Sequence, residues 1–313
     1  MHRQSAHRPS QTPAAPDEQV IRHEGRNVHV RSSKEATAQA PTVVLLTGAG
    51  DTDASWAAVR AQLRHRVNIV SYDRSGMGRS DPGGERSCHG VVAELHAVIR
   101  GVVTNPVVLV GHSLGGLIAL RYAAQHPASV AGLVLVDATP VETGRNKAVQ
   151  AGFLISATLA RLFKTLSPTG LVPFLLAKDR LPFYPEQAAF RAKVSQEDYR
   201  RWLSEVERNL AGNAGSELES VPGVAASAND VQAAASQHPE RIVPTIILTS
   251  RAYGSKWVAM QQRMAFQFET ALHLILPDRS HNIHMFRPEL VAEAAKTICF
   301  WQDIEPADPL GST

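Results

Sequence analysis

Cysteine is scarce in this 313-residue chain: Cys88 and Cys299 are its only two. They lie far apart and in no metal-like spacing, so a disulfide-dense scaffold and a cysteine metal centre are both excluded. Two free thiols in a reducing compartment is a simpler reading than one bridge. Long apolar runs are missing too. The greasiest region, Ala151 to Ala177, is broken by Arg161, Lys164 and two prolines, so nothing here is suited to spanning a bilayer. The stretch from Met1 to Glu18 is polar and rich in Pro and Ala. It lacks the apolar segment of a signal peptide and reads as a flexible tail. A soluble cytoplasmic protein is therefore expected, with a second short tail at 305–313. Dense Lys/Arg clusters are absent and the net charge is only +3, which argues against a nucleic-acid or membrane partner. No repeat is visible, no pattern calls for a metal or a cofactor, and nothing fixes an oligomeric state.

What is present is ordinary globular composition, 44% apolar, in a chain long enough for one large domain or one domain with an insertion. Val20 to Arg31 reads as a hairpin turning near Gly25-Arg26-Asn27. Strands follow at Thr42–Thr47, Val67–Tyr72, Val107–Val110 and Gly132–Val136, with helices at Ser55–Leu63, about Val91–Val102 and Leu114–His126. Near-continuous Val, Leu and Ile in these strands implies burial on both faces, as in a parallel sheet covered by helices. After Pro140 the alternation stops. About a hundred residues show helical periods and no strand. It resumes with a strand at Thr245–Ser250, a helix at Lys256–Glu269, a strand at Leu272–Leu276 and a helix at Pro288–Trp301. The expected fold class is α/β: a mostly parallel central sheet flanked by helices, with an inserted helical cap. The core would span 19–139 and 242–304, and the cap 140–241.

The most informative stretch is Gly111-His112-Ser113-Leu114-Gly115. It reads G-x-S-x-G, follows an apolar strand and opens an apolar helix. That context makes it a nucleophile elbow, a strained turn that exposes a serine at the end of a sheet. A serine nucleophile needs a base, and the base needs an acid to fix its tautomer. His281 lies just after the last strand, where the base belongs in such an order, with His284 as runner-up. The acid is less direct. The loop Ser250 to Lys256, its usual place, holds no carboxylate. Asp137 ends the apolar strand Leu133–Val136, at the sheet edge where ligands bind. It is the acid expected here, with Asp278 and Glu142 as fallbacks. A tetrahedral intermediate also needs hydrogen-bond donors. The backbone N–H of Leu114 is one, and the N–H of Ala49, in the small-residue loop Thr47 to Asp51, is the other.

Taken together, Leu46–Gly50, Tyr72–Asp81, Gly111–Gly116, Gly132–Asp137 and Ser280–His284 resemble the α/β-hydrolase superfamily in its cap-bearing branch, over about residues 19 to 304. Two departures stand out. Thr47 replaces the histidine usual before the oxyanion glycine, which the backbone donors tolerate. The acid after the strand ending at Ser250 is missing. Haloalkane-dehalogenase-like relatives place theirs where Asp137 stands, but they and the epoxide hydrolases use an aspartate nucleophile, so Ser113 argues against both activities. The resemblance implies a serine hydrolase acting on a small, apolar ester, thioester or amide. Carbon–carbon hydrolysis, a lyase reaction or acyl transfer on the same triad stays open, as does a non-catalytic ligand-binding role. Within Tyr72–Asp81, Asp73 and Arg79 are expected to make structural bonds. The cap aromatics Phe153, Phe163, Phe174, Phe183, Tyr184 and Trp202 line either a pocket or the cap's own core.

Overall fold

The computed structural model describes residues 17–33, 40–182, 184–227, 243–268 and 270–301. Eight strands form one sheet: β1 (Asp17–His23), β2 (Arg26–Ser33), β3 (Thr42–Leu46), β4 (Asn68–Tyr72), β5 (Val107–His112), β6 (Val130–Val136), β7 (Thr245–Thr249) and β8 (Ala271–Ile275). Their order is β1-β2-β4-β3-β5-β6-β7-β8. β1, β2 and β4 pair antiparallel; from β4 to β8 the sheet is parallel.

The first hairpin turns one step earlier than its sequence suggested. His23 pairs with Arg26, so the loop is Glu24-Gly25, both at positive φ (47° and 80°). That is the two-residue turn whose twist matches paired strands, and Gly25 adopts it without strain.

Helices α1 (Ala57–Leu63), α2 (Cys88–Val102) and α3 (Leu114–Gln125) alternate with the central strands. α2 starts three residues before its apolar period, because the Ser87 side chain caps it by accepting from the Gly90 N–H. Odd and even strand residues face opposite ways. Val44, Leu46, Leu109, Leu133, Leu135 and Ile247 pack with α2 and α3 on one face. Val43, Leu45, Val108, Val110, Val134 and Ile246 pack with α1 and the last helix on the other. Strands buried on both faces explain why the sequence shows continuous apolar runs there.

Between β6 and β7 the described chain is helical: α4 (Lys147–Leu166), α5 (Leu171–Ala177), α6 (Gln187–Arg191), α7 (Gln196–Ala211) and α8 (Ala214–Ser227). These helices have a core of their own, in which Trp202 contacts Tyr184, Phe190 and Tyr199. Ala54, Ala58 and Met285 of the sheet domain join that core and seat the insertion on it. The chain finishes with α9 (Gly254–Ala265), the one-turn α10 (Ile283–Phe286) and α11 (Pro288–Cys299). α9 stops at Ala265, short of the expected Glu269, which lies outside the described residues, as does Phe183. Among the described residues no helix is long and apolar enough to cross a membrane.

Candidate active site

Ser113 sits between β5 and α3 with φ 51° and ψ −117°, a left-side conformation that non-glycine residues avoid. The turn closes because its flanks have no side chains. A Cβ on Gly111 would meet the Gly115 carbonyl oxygen at 2.5 Å, and one on Gly115 would collide with the Leu46 and Thr47 carbonyls. Backbone bonds fix the bend: Ser113 N–H donates to Val136 O at 3.1 Å, and Thr139 N–H donates to Ser113 O at 2.9 Å. The Ser113 hydroxyl is 3.5 Å from Thr139 Oγ1.

Asp137 ends β6, likewise at positive φ (42°), and is fully buried. Its Oδ1 accepts from Ser250 N–H at 3.0 Å and from the Trp257 indole N–H at 2.9 Å. Its Oδ2 accepts from Ser250 Oγ at 2.9 Å and faces His281 Nδ1 at 2.7 Å. Both oxygens of this buried carboxyl group are thus hydrogen-bonded, as burial of a polar group requires. The loop after β7 therefore serves this site with donors where a carboxylate was looked for. The fallback carboxylates lie elsewhere: Asp278 pairs with Arg287 at 3.1 Å and Glu142 with Arg263 at 3.2 Å.

His281 packs against His112, with ring centroids 4.7 Å apart, and against Tyr253 at 4.9 Å. Its own carbonyl accepts from His112 Nε2 at 3.1 Å. A carbonyl can only accept, so His112 carries its proton on Nε2. Burial, and then repulsion toward a second positive imidazole beside His284 and His281, hold the His112 imidazole well below its ordinary range, so it is neutral near pH 7. His284 is buried between Trp56 and His112, with its Nε2 3.6 Å from Asp51 Oδ2. One donor atom from each of Asp51, His112 and His284 comes within 4.8 Å of the others.

Ser113 and His281 line the same cavity of about 680 Å³, together with Gly48, Ala49, His112, Phe153, Tyr184 and Trp257. Helical phase explains one wall, since Tyr253, Lys256, Trp257 and Met260 share a face of α9. Lys256 and Arg279 are the exposed charges of the lining, whereas Asp51 and Glu186 are buried. Of the cap aromatics, Phe153 and Tyr184 reach the cavity. Phe163 and Trp202 belong to the cap core, and Phe174 is exposed.

Ala49 is on the cavity wall, and both its neighbours are pinned. Arg74 Nη2 donates to Gly48 O at 2.6 Å, and Gly50 N–H donates to Glu217 Oε2 at 2.6 Å. Leu114 is the first residue of α3, so its N–H has no acceptor within the helix; its side chain is in the core.

Arg74 was not singled out by the sequence, although it stands inside the Tyr72–Asp81 motif. Its Nη1 donates to Thr47 O at 2.7 Å and its Nε to Glu217 Oε1 at 2.7 Å. Burial would lower its guanidinium, but the Glu217 carboxylate outweighs this and raises it. Asp73 holds the backbone of Asp53 and Arg79. The Arg79 side chain itself pairs with Glu18 at 2.7 Å.

On a mostly parallel sheet, a strained serine at a strand–helix junction and an Asp–His pair thus lie close to one cavity. The family model described as the alpha/beta hydrolase family matches residues 43–294, and the chain belongs to that family. Among curated proteins, it is 33% identical over 115 residues to the uncharacterised protein Rv2715 of Mycobacterium tuberculosis; the match covers 36% of this chain and 34% of that protein, about a third of its length. Among solved structures, a thermophilic esterase from Thermogutta terrifontis superposes with a TM-score of 0.63 at 18% identity, over 93% of this chain and 98% of that one. The enol-lactonase from Burkholderia xenovorans LB400 does so with a TM-score of 0.63 at 17% identity, over 90% and 99%. At such identities the superpositions speak for the fold alone.

Proposed function

We propose that the protein is a serine hydrolase that cleaves a small ester, thioester or amide through an acyl-enzyme. The observation that carries this reading is the 2.7 Å contact between buried Asp137 and Nδ1 of His281, whose ring lines the same cavity as Ser113. The imidazole donates from Nδ1 to the carboxylate, which leaves Nε2 as the base. Nε2 takes the Ser113 proton as Oγ attacks the substrate carbonyl, and the amides of Leu114 and Ala49 receive the oxyanion. Nε2 then protonates the leaving group, and a water repeats the cycle on the acyl-enzyme. This step calls for a Ser113–His281 hydrogen bond in the Michaelis complex, where such bonds tighten.

The segment read as 140–241 acts as a cap over the core at 19–139 and 242–304. Val149, Phe153, Leu210, Leu218 and Met260 give the cavity an apolar lining, which suits an apolar small-molecule substrate. Both cysteines are free, which fits work in a reducing cytoplasm. The test is stopped-flow hydrolysis of a nitrophenyl ester. A nitrophenolate burst equal to the enzyme concentration, followed by slower turnover, is expected. A wild-type enzyme with no burst and no turnover on a panel of short esters, thioesters and amides would overturn the proposal.

A further inference from the structure

Two buried carboxylates of the helical insertion each grip one of the two loops that the proposed chemistry depends on. Glu186, on the turn before α6, is 8% exposed. Its Oε1 accepts from Ser280 Oγ at 2.5 Å and its Oε2 from Asn282 Nδ2 at 2.9 Å. Those are the residues on either side of His281. Glu217, on α8, is 4% exposed. It accepts from Gly50 N–H at 2.6 Å and from Arg74 Nε at 2.7 Å, while Arg74 holds the carbonyls of Thr47 and Gly48. That brackets Ala49. Asn209 of α7 adds a third tie, donating to Gly50 O at 3.0 Å and accepting from Gly78 N–H at 2.8 Å.

We propose that Glu186 and Glu217 are positioning residues through which the seating of the cap sets the geometry of the base and of the oxyanion loop. Neither carboxylate reacts. Each acts through the loop it holds, so a cap that lifts releases His281 and Ala49 together. The physical case rests on what these loops lack. Residues 47–51 and 276–282 lie outside the strands and helices, and few backbone bonds hold them, among them Asp51 N–H to Gly48 O at 3.4 Å in the first, and Leu276 N–H to Thr249 O at 2.8 Å and Arg251 N–H to Asp278 O at 2.9 Å in the second, so side chains must fix the rest. Hydrogen bonds to a buried charge are among the stronger ones available, and severing them leaves donors unpaired. A displacement of the base or of an oxyanion donor by about 1 Å can cost on the order of a hundred-fold in rate. A cap that merely roofed the cavity would need apolar contact. The insertion spends two of its buried charges on these loops instead.

This proposal rests on the serine-hydrolase reading, and its test separates the two. Glu186→Ala, Glu186→Gln, Glu217→Ala and Glu217→Gln are compared with wild type and with Glu219→Gln, an exposed residue of α8 paired to Arg161. Nitrophenyl ester kinetics are measured alongside the far-downfield proton resonance of the His281–Asp137 hydrogen bond and the affinity of a boronic acid that forms a tetrahedral serine adduct. Both alanine variants should lose roughly ten- to a hundred-fold in kcat with KM within about two-fold. Glu186→Ala should broaden or abolish the resonance. Glu217→Ala should weaken the boronate by about the factor lost in kcat and leave the resonance in place. Glu186→Gln, whose oxygen can accept from Asn282 while its NH2 donates to the Ser280 hydroxyl, should recover much of the loss; Glu217→Gln turns an NH2 toward Gly50 N–H or Arg74 Nε and should recover little; Glu219→Gln should match wild type.

Alanine variants that fold and keep wild-type kcat, resonance and boronate affinity would overturn the proposal. So would a Glu186→Gln variant no better than Glu186→Ala. If alanine variants do not fold, Ser280→Ala with Asn282→Ala, which remove the donors instead, must reproduce the Glu186 effect or the proposal fails. Failure of the underlying reading looks different. Wild type would then show no turnover, while loss of the His281 resonance in Glu186→Ala would still support the Glu186 tie and its persistence would overturn it.

Discussion

At the scale of single residues, roles divide by what each side chain can touch. Ser113→Ala should lower turnover by roughly three or more orders of magnitude while the fold persists, because the elbow depends on its glycines. His281→Ala should be comparably damaging. His284, sealed between Trp56 and His112, should cost stability on substitution by alanine far more than it costs rate. Steady-state kinetics beside thermal melts separate these outcomes. Asp137→Asn preserves shape but removes the charge facing His281, and a loss of about four orders of magnitude is expected for an essential triad acid. Asp278→Asn and Glu142→Gln, each tied to an arginine away from His281, should be mild. A crippled control beside an active Asp137→Asn would force the triad to be redrawn.

His112 supplies a pH test. The folded chain resists protonating it, and the unfolded chain accepts the proton below the ordinary imidazole value of 6.5. Neutral His112 therefore contributes stability that is present above 6.5 and lost as pH falls. His112→Gln, which keeps a donor for the His281 carbonyl, should flatten the fall in Tm between about pH 7 and about pH 5. A slope unchanged from wild type would contradict the assignment. Ser113, His281 and Asp137 could be picked out from sequence because each follows an apolar strand and so sits at one edge of the sheet. Glu186, Glu217 and Arg74 could not. Glu186 meets Ser280 across 94 positions and Glu217 meets Gly50 across 167, with no local pattern to announce either.

At the scale of elements, the crossing of β5, α3 and β3 is a tight joint. Gly115→Ala would drive a methyl into the carbonyls of Leu46 and Thr47, and should cost at least about 1–3 kcal/mol in urea unfolding. Gly223→Ala is the same change on the exposed side of α8, where a Cβ meets nothing within 4 Å. It should be neutral or stabilise by up to about 1 kcal/mol. Equal effects at the two sites would mean that the elbow is looser than its geometry implies. Element positions were largely legible because strands buried on both faces leave unbroken Val/Leu/Ile runs. Their ends were less so. The hairpin turn and the start of α2 are decided by Glu24-Gly25 and by the Ser87 cap, single residues that apolar periodicity does not register.

At the scale of the molecule, sheet and insertion divide the labour. The parallel sheet fixes Ser113 and Asp137 at the ends of adjacent strands β5 and β6, and the insertion closes the cavity above them. That an insertion exists was legible from the break in alternation after Pro140. Its docking was not, since helical periods tell which face is buried and not against what. Phe153, facing the cavity, and Phe163, in the cap core, look alike in sequence and differ only in phase along α4. Every proposed step of the chemistry turns on Ser113 as the nucleophile. The most direct test of that role is reaction with a fluorophosphonate followed by intact-mass measurement and peptide mapping. A single adduct on Ser113 is expected, absent in Ser113→Ala and strongly slowed in His281→Ala. No adduct on the folded wild-type protein, or an adduct mapped to any other residue, would contradict the account.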